Sequence, residues 1–322
     1  MDMESLSKYL LHTYGFNVTS IESIVSMNEL YTLVASNHKT RYILKLYKQS
    51  DMPLSRINTI TQLLTYLQSN GVKVSYPIKG LRGDYVHELA EKYAVLYSYA
   101  NGQHYSELSH HQSFLFGCEN AQIHLNATHI DTKDLPIKKT KELLVNPLAT
   151  LSIGHSERHH ELRYIRGLAN VVADKLSHLS PYQSVCHGDY HWGNVFFDDE
   201  RITVFDFDFC CKSWRIYDAV VFLWNLLFSQ SNDVAGIWSE FLSGYQSVVP
   251  LTETEIEAIP WLLIAHNIWH MGYIADVPIE DWEFDDYWFD KKFSLFEDIQ
   301  NMFPSKNIYN KQFKQTVNAW HF

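Results

Sequence analysis

The fold of this chain is decided by the stretch Val185-Cys-His-Gly-Asp-Tyr-His-Trp-Gly-Asn-Val-Phe-Phe197, which is followed after a short turn by Val204-Phe-Asp-Phe-Asp-Phe209. Apolar residues lie on both sides of a polar segment, a pattern that predicts short strands around a loop. The intervening Asp198-Asp-Glu-Arg201 has the composition of a tight turn. The sequence therefore predicts a β-hairpin with a polar loop just before it.

We expect this hairpin to bring three oxygen-bearing side chains close together, those of Asp189, Asn194 and Asp206. Carboxylate and amide oxygens suit a hydroxyl group together with a hard divalent cation such as Mg²⁺. Taken singly, each aspartate is more commonly a turn-capping residue, so the prediction depends on the combination.

The arrangement resembles the catalytic segment of the aminoglycoside phosphotransferase and choline kinase superfamily, H-G-D-x-x-x-x-N followed by an extended I/V-D-F/L-D. Residues 187–194 (HGDYHWGN) and 205–208 (FDFD) carry the likeness. It is closest to the branch that contains homoserine kinase-like and bacterial stress-response kinases. The resemblance implies an α+β, bilobal protein-kinase-like fold, with an antiparallel β-sheet nucleotide-binding lobe over 1–99 and a mainly helical catalytic and substrate-binding lobe over 100–322.

The resemblance also implies a role for each residue of the segment. Asp189 would accept or orient the proton of the acceptor hydroxyl. Asn194 and Asp206 would be Mg²⁺ ligands. Asp208 would be a second acidic ligand, since residues two apart on an extended strand share a face.

Four further residues in or near this segment are candidates, the first two of them by the same resemblance. His187 would brace the catalytic loop, and Asp218 would hydrogen-bond the loop backbone. His191 and Trp192, which flank the loop, are candidate substrate contacts. The other histidines lack a shared spacing that predicts a zinc site.

Lys45 is predicted to bind the phosphates of ATP. The strand Arg41-Tyr-Ile-Leu-Lys-Leu-Tyr-Lys48 places Ile43 and Lys45 on one face, and a buried ammonium requires an anion. In the kinase-like fold this lysine pairs with a glutamate from the next helix. The predicted helix at 53–70 contains no acidic residue, so Gln62, Asn58 or Glu29 is left to orient the lysine. This departure keeps a pseudokinase interpretation open.

Two other segments are predicted to contact ATP. Residues 96–102 resemble the kinase hinge, so Ser98, Tyr99 and Ala100 would contact the adenine edge through the backbone, with a plain linker as the alternative. Asn28, in a turn between two strands, is a phosphate-side candidate or an ordinary turn residue.

The C-terminal segment 282–290 alternates acidic and aromatic residues. Such a segment can bind a cationic substrate through carboxylate and cation–π contacts. The simpler interpretation is a surface loop with aromatic anchors. The candidate substrate residues here are Trp282, Glu283, Asp285 and Asp286.

Composition limits the class of protein. The 322 residues are 46% hydrophobic with a formal net charge of −11, which indicates a globular protein and argues against nucleic acid or an anionic membrane as partner. Four cysteines without disulfide or metal spacing, and an acidic N-terminus without an apolar signal core, favour the cytoplasm.

Periodicity and turn signals predict the remaining elements. Strands are expected at 18–25, 30–36, 41–48, 72–78, 85–89 and 92–99, and helices at 4–14, 53–70, 107–128, 155–178, 214–229, 232–247, 253–275 and 289–302.

The predicted activity is Mg²⁺-dependent transfer of the ATP γ-phosphoryl group to a small-molecule hydroxyl. The acceptor is left open among an aminoglycoside or other antibiotic, homoserine, choline and a similar amino alcohol. The alternatives are a nucleotide-binding pseudokinase or scaffold and a protein serine/threonine kinase of the stress-response type.

Overall fold

The computed structural model describes residues 3–24, 29–36, 40–155, 157–178, 183–198, 201–276 and 286–303. The strands are β1 (Val18–Ile24), β2 (Glu29–Ala35), β3 (Arg41–Lys48), β4 (Val86–Leu89), β5 (Lys92–Ser98), β6 (Gln183–Cys186), β7 (Val195–Asp198), β8 (Arg201–Val204) and β9 (Cys211–Trp214). The α-helices are α1 (Met3–Tyr14), α2 (Leu54–Ser69), α3 (His110–Asn126), α4 (Asn146–Gly154), α5 (His159–His178), α6 (Tyr217–Phe228), α7 (Val234–Val248), α8 (Glu253–Asp276) and α9 (Asp286–Met302).

The first five strands form an antiparallel sheet in the order β1-β2-β3-β5-β4. Leu44 and Leu46 of β3 lie in a core with Leu6 and Leu10 of α1. The period of two predicted for β3 is confirmed, because Ile43, Lys45 and Tyr47 line a cavity instead. The sheet thus has one face against α1 and one face available for a site.

The strand predicted at 72–78 is wrong. This segment makes isolated bridges only, Val74 to Val204 and Pro77 to Tyr97. Its backbone hydrogen bonds go to two different strands, since Ser75 N–H donates to Val204 O and Ile78 N–H donates to Leu96 O. Pro77 has no N–H to continue a ladder, so the segment is an extended connection between the sheet and the β7–β8 hairpin.

Most predicted helices are confirmed within a few residues, but the segment before α5 contains structure that was not predicted. A π-helical turn at Lys141–Val145 continues into α4. Pro147 lies directly after this turn, and its missing N–H cannot close a regular i→i−4 bond to the preceding turn. That proline was the available signal.

The chain divides into two compact units. The first comprises residues 1–136, 187–212 and 240–249, and the second comprises residues 137–186, 213–239 and 250–322. The first unit therefore contains both the five-stranded sheet and the catalytic-type segment 187–209. The lobe boundary at residue 99 stays a prediction. Among the helices that the structure describes, none has the length and apolarity needed to cross a bilayer.

The second unit has an aromatic core that encloses a lysine. The apolar run at the centre of α6, residues 219–224, is buried on every side. Lys292 of α9 is 1% exposed, and its Nζ lies 3.3 Å from the ring centroid of Phe228 and 3.8 Å from that of Trp224. Within the described ranges this Nζ has no hydrogen-bond partner.

Burial of Lys292, with a smaller contribution from Lys291, lowers the pKa of its amine to about 6. Cation–π contacts stabilise a charge by about 0.5–2 kcal/mol, less than the cost of desolvating an ammonium. The amine is therefore mostly neutral at about pH 7 in the folded protein, whereas the unfolded chain binds a proton up to its ordinary pKa of about 10.4.

We expect Lys292→Met to stabilise the protein, because methionine fills the same space without desolvating an amine. The gain in unfolding free energy at about pH 7 should be about 1–4 kcal/mol. Wild-type stability rises with pH between about 6 and 10.4, since only the unfolded chain is protonated there. The gain should therefore fade as the pH approaches 10, as measured by urea denaturation across this range.

Lys291→Met is the matched control, because Lys291 is adjacent in α9 but only partly buried. We expect its effect to stay within about 0.5 kcal/mol. A Lys292→Met variant less stable than wild type at about pH 7 would show that the ring contacts outweigh desolvation.

Candidate active site

The β7–β8 hairpin is present as predicted. Val195 pairs with Val204 and Asp198 with Arg201. Before the hairpin, Gly188 adopts a φ of +82°, a conformation that side chains other than glycine rarely adopt. A Cβ at Gly188 would lie 2.1 Å from Phe209 O. The glycine therefore allows the loop to pass directly against the chain that follows Asp206.

His187 connects the two segments of the site. The backbone N–H of Asp189 donates to His187 Nδ1 at 3.3 Å, so the ring proton is on Nε2. That Nε2–H donates to Phe205 O at 2.9 Å. The imidazole is fully buried, and its contacts are those of a residue that braces the loop.

Asn194 is held by Asp189 on one side. Its Nδ2 donates to Asp189 O at 2.9 Å and to Asp189 Oδ2 at 3.1 Å. Because these bonds fix the orientation of the amide, Oδ1 points away from Asp189. The backbone of Asn194 is also tied down, since Phe205 N–H donates to Asn194 O at 3.0 Å. Phe205 is thus fixed at both its N–H and its C=O, immediately before Asp206.

His191 is the second imidazole at the site. It accepts from Gly193 N–H at its Nδ1 (3.1 Å), and its Nε2 lies 3.3 Å from Asp189 Oδ2. Burial alone would raise the pKa of Asp189, but hydrogen bonds with His191 and Asn194 and the nearby imidazoles hold that pKa well below its usual range. Asp189 is therefore a carboxylate at any physiological pH.

The segment after β8 differs from the prediction. Residues 206–208 are not extended: Asp206 has a φ of +66°, and residues 207–209 form a 3₁₀ turn. Such a left-handed residue costs about 1 kcal/mol or more, a strain that the fixed Phe205 helps to maintain. The prediction that Asp206 and Asp208 share one face of an extended strand is therefore wrong.

Both carboxylates nevertheless meet at Lys45. Its Nζ lies 2.7 Å from Asp206 Oδ1 and 2.7 Å from Asp208 Oδ2, and the lysine is 4% exposed. Burial alone would lower the pKa of Lys45, but the two carboxylates raise it above its ordinary value. Lys45 is therefore a permanent cation paired with two acids.

The residues considered as substitutes for the missing helix glutamate do not serve Lys45. Asn58 and Gln62 are exposed on α2, and Glu29 pairs with Lys92. The cavity-facing residues of α2 are Ile60 and Leu64.

Sequence reasoning missed two residues that support this site. Tyr47 donates from its hydroxyl to Asp208 Oδ1 at 3.2 Å and lies 3.0 Å from the hydroxyl of Tyr97. Arg56 of α2 donates from Nη2 to Asp208 O at 2.5 Å. The strand period, extended by one step from Lys45, identifies Tyr47. The signal for Arg56 was a single cation in an otherwise uncharged helix.

A cavity of about 300 Å³ adjoins these groups. Its walls are mainly apolar, and its polar end is formed by Lys45, Asp206 and Asp208. The other lining residues are Ile24, Leu30, Thr32, Ile43, Tyr47, Ile60, Leu64, Ser75, Tyr97, Ser98, Tyr99, Ala100, Gly193, Phe196, Phe205 and Phe207. The three predicted hinge residues therefore share one cavity with Lys45.

The structure also fixes part of the hinge backbone. Ser98 N–H donates to Tyr76 O at 2.8 Å, and Ser98 O accepts from Ser75 Oγ at 2.6 Å. The N–H of Ser98 is thus already used within the protein, and the predicted adenine contacts of Ser98, Tyr99 and Ala100 stay predictions.

Several predicted residues lie elsewhere or outside the described ranges. Asn28, Trp282, Glu283 and Asp285 are outside the described residues, and of Asp286 only its place at the start of α9 is described. Trp192 is half-buried in a 3₁₀ turn. Asp218 is fully buried in α6. The substrate-contact and loop-support roles of these residues stay predictions.

Comparison with known proteins matches residues 27–250 to the phosphotransferase enzyme family APH. An uncharacterised protein of Synechocystis sp. is 32% identical over 238 residues, which cover 71% of this chain and 65% of that protein. A homoserine kinase of Agrobacterium fabrum is 28% identical over 275 residues, or 80% of each chain.

Solved structures are similar over nearly the whole chain. An amicoumacin kinase in complex with AMP-PNP and Ca²⁺ has a TM-score of 0.75 at 18% identity and covers 94% of each chain. A microcompartment-associated aminopropanol kinase has a TM-score of 0.73 at 17% identity and covers 92% of this chain and 95% of its own.

The fold is thus α+β and protein-kinase-like, with an antiparallel sheet in the N-terminal part and a mainly helical remainder, as predicted. The chain belongs to the phosphotransferase enzyme family. It is accordingly an enzyme of the phosphotransferase class.

We expect Gly188→Ala to disrupt the loop, because the new Cβ meets Phe209 O and the φ is strained. The variant should lose about 1–3 kcal/mol of unfolding free energy. Displacing Asp189 by about 1 Å should reduce turnover roughly 10²-fold. Urea denaturation and a coupled ADP-release assay measure the two effects.

Gly154→Ala is the matched control. Gly154 ends α4, and a Cβ there meets nothing within 4 Å. It should leave turnover unchanged, and equal effects of the two substitutions would contradict the close-approach argument.

Proposed function

We propose that this protein transfers the γ-phosphoryl group of ATP to the hydroxyl group of a small amino alcohol. In this proposal the Asp189 carboxylate accepts a hydrogen bond from the hydroxyl of the acceptor molecule. The observation that carries the proposal is the connected set Asp189, Asn194, Asp206 and Lys45, held by hydrogen bonds through Phe205.

The cavity suits a nucleotide. Its volume of about 300 Å³ is at the lower end for small-molecule pockets. Apolar side chains such as Ile43 and Leu64 offer contact area to a planar base, and the backbone of Tyr99 and Ala100 offers hydrogen-bonding groups to its edge. Lys45 at the polar end provides the cation that phosphate oxygens require.

Oxygen donors at the polar end and in the adjoining loop also fit a divalent cation. Asn194 Oδ1 is directed away from Asp189, and the Asp206 side chain is 40% exposed. Amide and carboxylate oxygens are the ligands that Mg²⁺ prefers, so Asn194 and Asp206 would hold it. When bound, the cation neutralises charge on the phosphate groups.

Asp189 acts mainly by orientation. A carboxylate with a lowered pKa is a weak base, but it remains ionised and accepts a hydrogen bond from the acceptor hydroxyl throughout the physiological pH range. Phosphoryl transfer has a loose transition state in most analyses, so proton removal need not precede bond formation. His191 and Asn194 fix the carboxylate for this task.

The amino alcohol class is supported by the relatives. Homoserine and aminopropanol, the molecules in the names of two similar proteins, each carry a hydroxyl and an amine. Homoserine is the first acceptor to test, because the homoserine kinase alignment covers four-fifths of both chains. Antibiotics are the second group, given the fold shared with an amicoumacin kinase.

We expect Asp189→Asn to reduce kcat by roughly 10²–10⁴-fold, because asparagine lacks the negative charge that orients the acceptor hydroxyl and takes up its proton as the new P–O bond forms. ADP affinity, measured by calorimetry, should change little. The test is a coupled assay with Mg²⁺, ATP and a panel of homoserine, aminopropanol, choline, ethanolamine and amicoumacin.

Asp198→Asn is the control for this change, because Asp198 is exposed at the far end of the same hairpin. It should keep wild-type turnover. A wild-type protein that binds Mg²⁺–ATP but phosphorylates no acceptor in the panel would favour the pseudokinase alternative. Unchanged kcat in Asp189→Asn would remove Asp189 from the proposed role.

A further inference from the structure

The buried Lys45 ammonium needs a carboxylate partner in addition to Asp206. A buried ammonium needs an anion at every stage, because desolvation without a partner is costly. Helix α2 offers none, since it contains no acidic residue and presents Ile60 and Leu64 to the cavity. The anions that the structure places at the ammonium are Asp206 and Asp208.

The two carboxylates have different environments. The Asp206 side chain is 40% exposed, whereas that of Asp208 is 14% exposed. Both oxygens of Asp208 are engaged by the protein, Oδ2 by Lys45 and Oδ1 by the hydroxyl of Tyr47. A carboxylate with both oxygens bound to protein donors is poorly placed to coordinate a metal ion.

The surroundings of Asp208 also hold it in place. Tyr47 is the neighbour of Lys45 on the cavity face of β3, and its hydroxyl lies 3.0 Å from that of Tyr97 on β5. Arg56 binds the backbone carbonyl of Asp208 at 2.5 Å. Helix α2 therefore contributes the Arg56 cation, which fixes Asp208. Asp208 in turn supplies the carboxylate at Lys45 that α2 itself lacks.

We infer that Asp208 is a positioning residue for Lys45: it keeps the ammonium directed at the cavity when Asp206 turns to a metal ion. This inference rests on the proposed function and departs from the sequence-based prediction that Asp208 is a second metal ligand. It assigns Asp208 to the lysine and Asp206 to the metal ion. Tyr47 and Arg56 then serve to hold Asp208 in position.

A double-mutant cycle between Asp208→Asn and Lys45→Met tests the inference. If Asp208 acts through Lys45, the losses overlap. We expect Lys45→Met to reduce kcat/KM by at least about 10²-fold and Asp208→Asn by at least about tenfold, amounts typical of lost charge positioning. The double variant should then be within about threefold of Lys45→Met alone. Multiplicative losses would overturn the inference.

Metal dependence provides a second measurement. Asp208→Asn should leave the Mg²⁺ concentration for half-maximal activity within about twofold of wild type, whereas Asp206→Asn should raise it by about tenfold or more. Equal shifts in the two variants would identify Asp208 as a metal ligand.

Thermal unfolding of the metal-free and nucleotide-free protein gives a readout without activity. Asp208→Asn should lower Tm more than Asp206→Asn, because it leaves a buried lysine with one partly exposed partner. The double variant with Lys45→Met should regain part of the lost Tm, even where Asp208→Asn alone folds poorly. No regain would count against the pairing. Absent turnover in wild type would count against the proposed function instead, and this stability cycle still reports on Lys45 and Asp208.

Discussion

The need of the buried Lys45 ammonium for carboxylate partners is the constraint on which the site depends. The lysine lies on the cavity face of a central strand, where it cannot be left unpaired. Its partners come from a segment more than 160 positions later in the chain. Their ion pairs join the five-stranded sheet to the β7–β8 hairpin. The position of Lys45 and the position of residues 206–208 are therefore coupled through these ion pairs.

The loop before the hairpin is fixed by a second requirement, that buried backbone polar groups be paired. Phe205 meets it through its N–H to Asn194 and its C=O to His187. These bonds leave Asp206 in a left-handed conformation with its carboxylate at the cavity. Asp189 and Asp206 thus share a scaffold of hydrogen bonds, and rigidity of this kind is what positioning of reactants requires.

Much of this was predictable from local pattern. The period of two placed Lys45 on the correct face of β3, and the turn residues after Phe197 gave the hairpin. The conformation of residues 206–208 was not predictable, because the strain at Asp206 depends on the hydrogen bonds that Phe205 accepts from His187 and donates to Asn194 O. The partners of Lys45 were likewise hidden, since an ion pair across so long a sequence separation leaves no periodic signal. The extended segment at 72–78 has strand-like composition, and only its division between two pairing partners shows that it is not a strand.

The charge at the polar end of the cavity has a consequence for how a nucleotide and a cation affect each other's affinity. One ammonium faces two carboxylates there, with the ionised Asp189 in the same scaffold. This surplus of negative charge repels the phosphates of a nucleotide and attracts a divalent cation. A bound divalent cation offsets this surplus and so raises the affinity for the nucleotide phosphates. By linkage, a bound nucleotide raises the affinity for the cation by the same factor. Asp206 and Asp208 carry one more negative charge than Lys45 neutralises, and a protein that only held a nucleotide would gain nothing from that surplus. The acids around Lys45 therefore fit the proposed metal-dependent phosphotransferase, and the missing carboxylate of α2 is no argument against it.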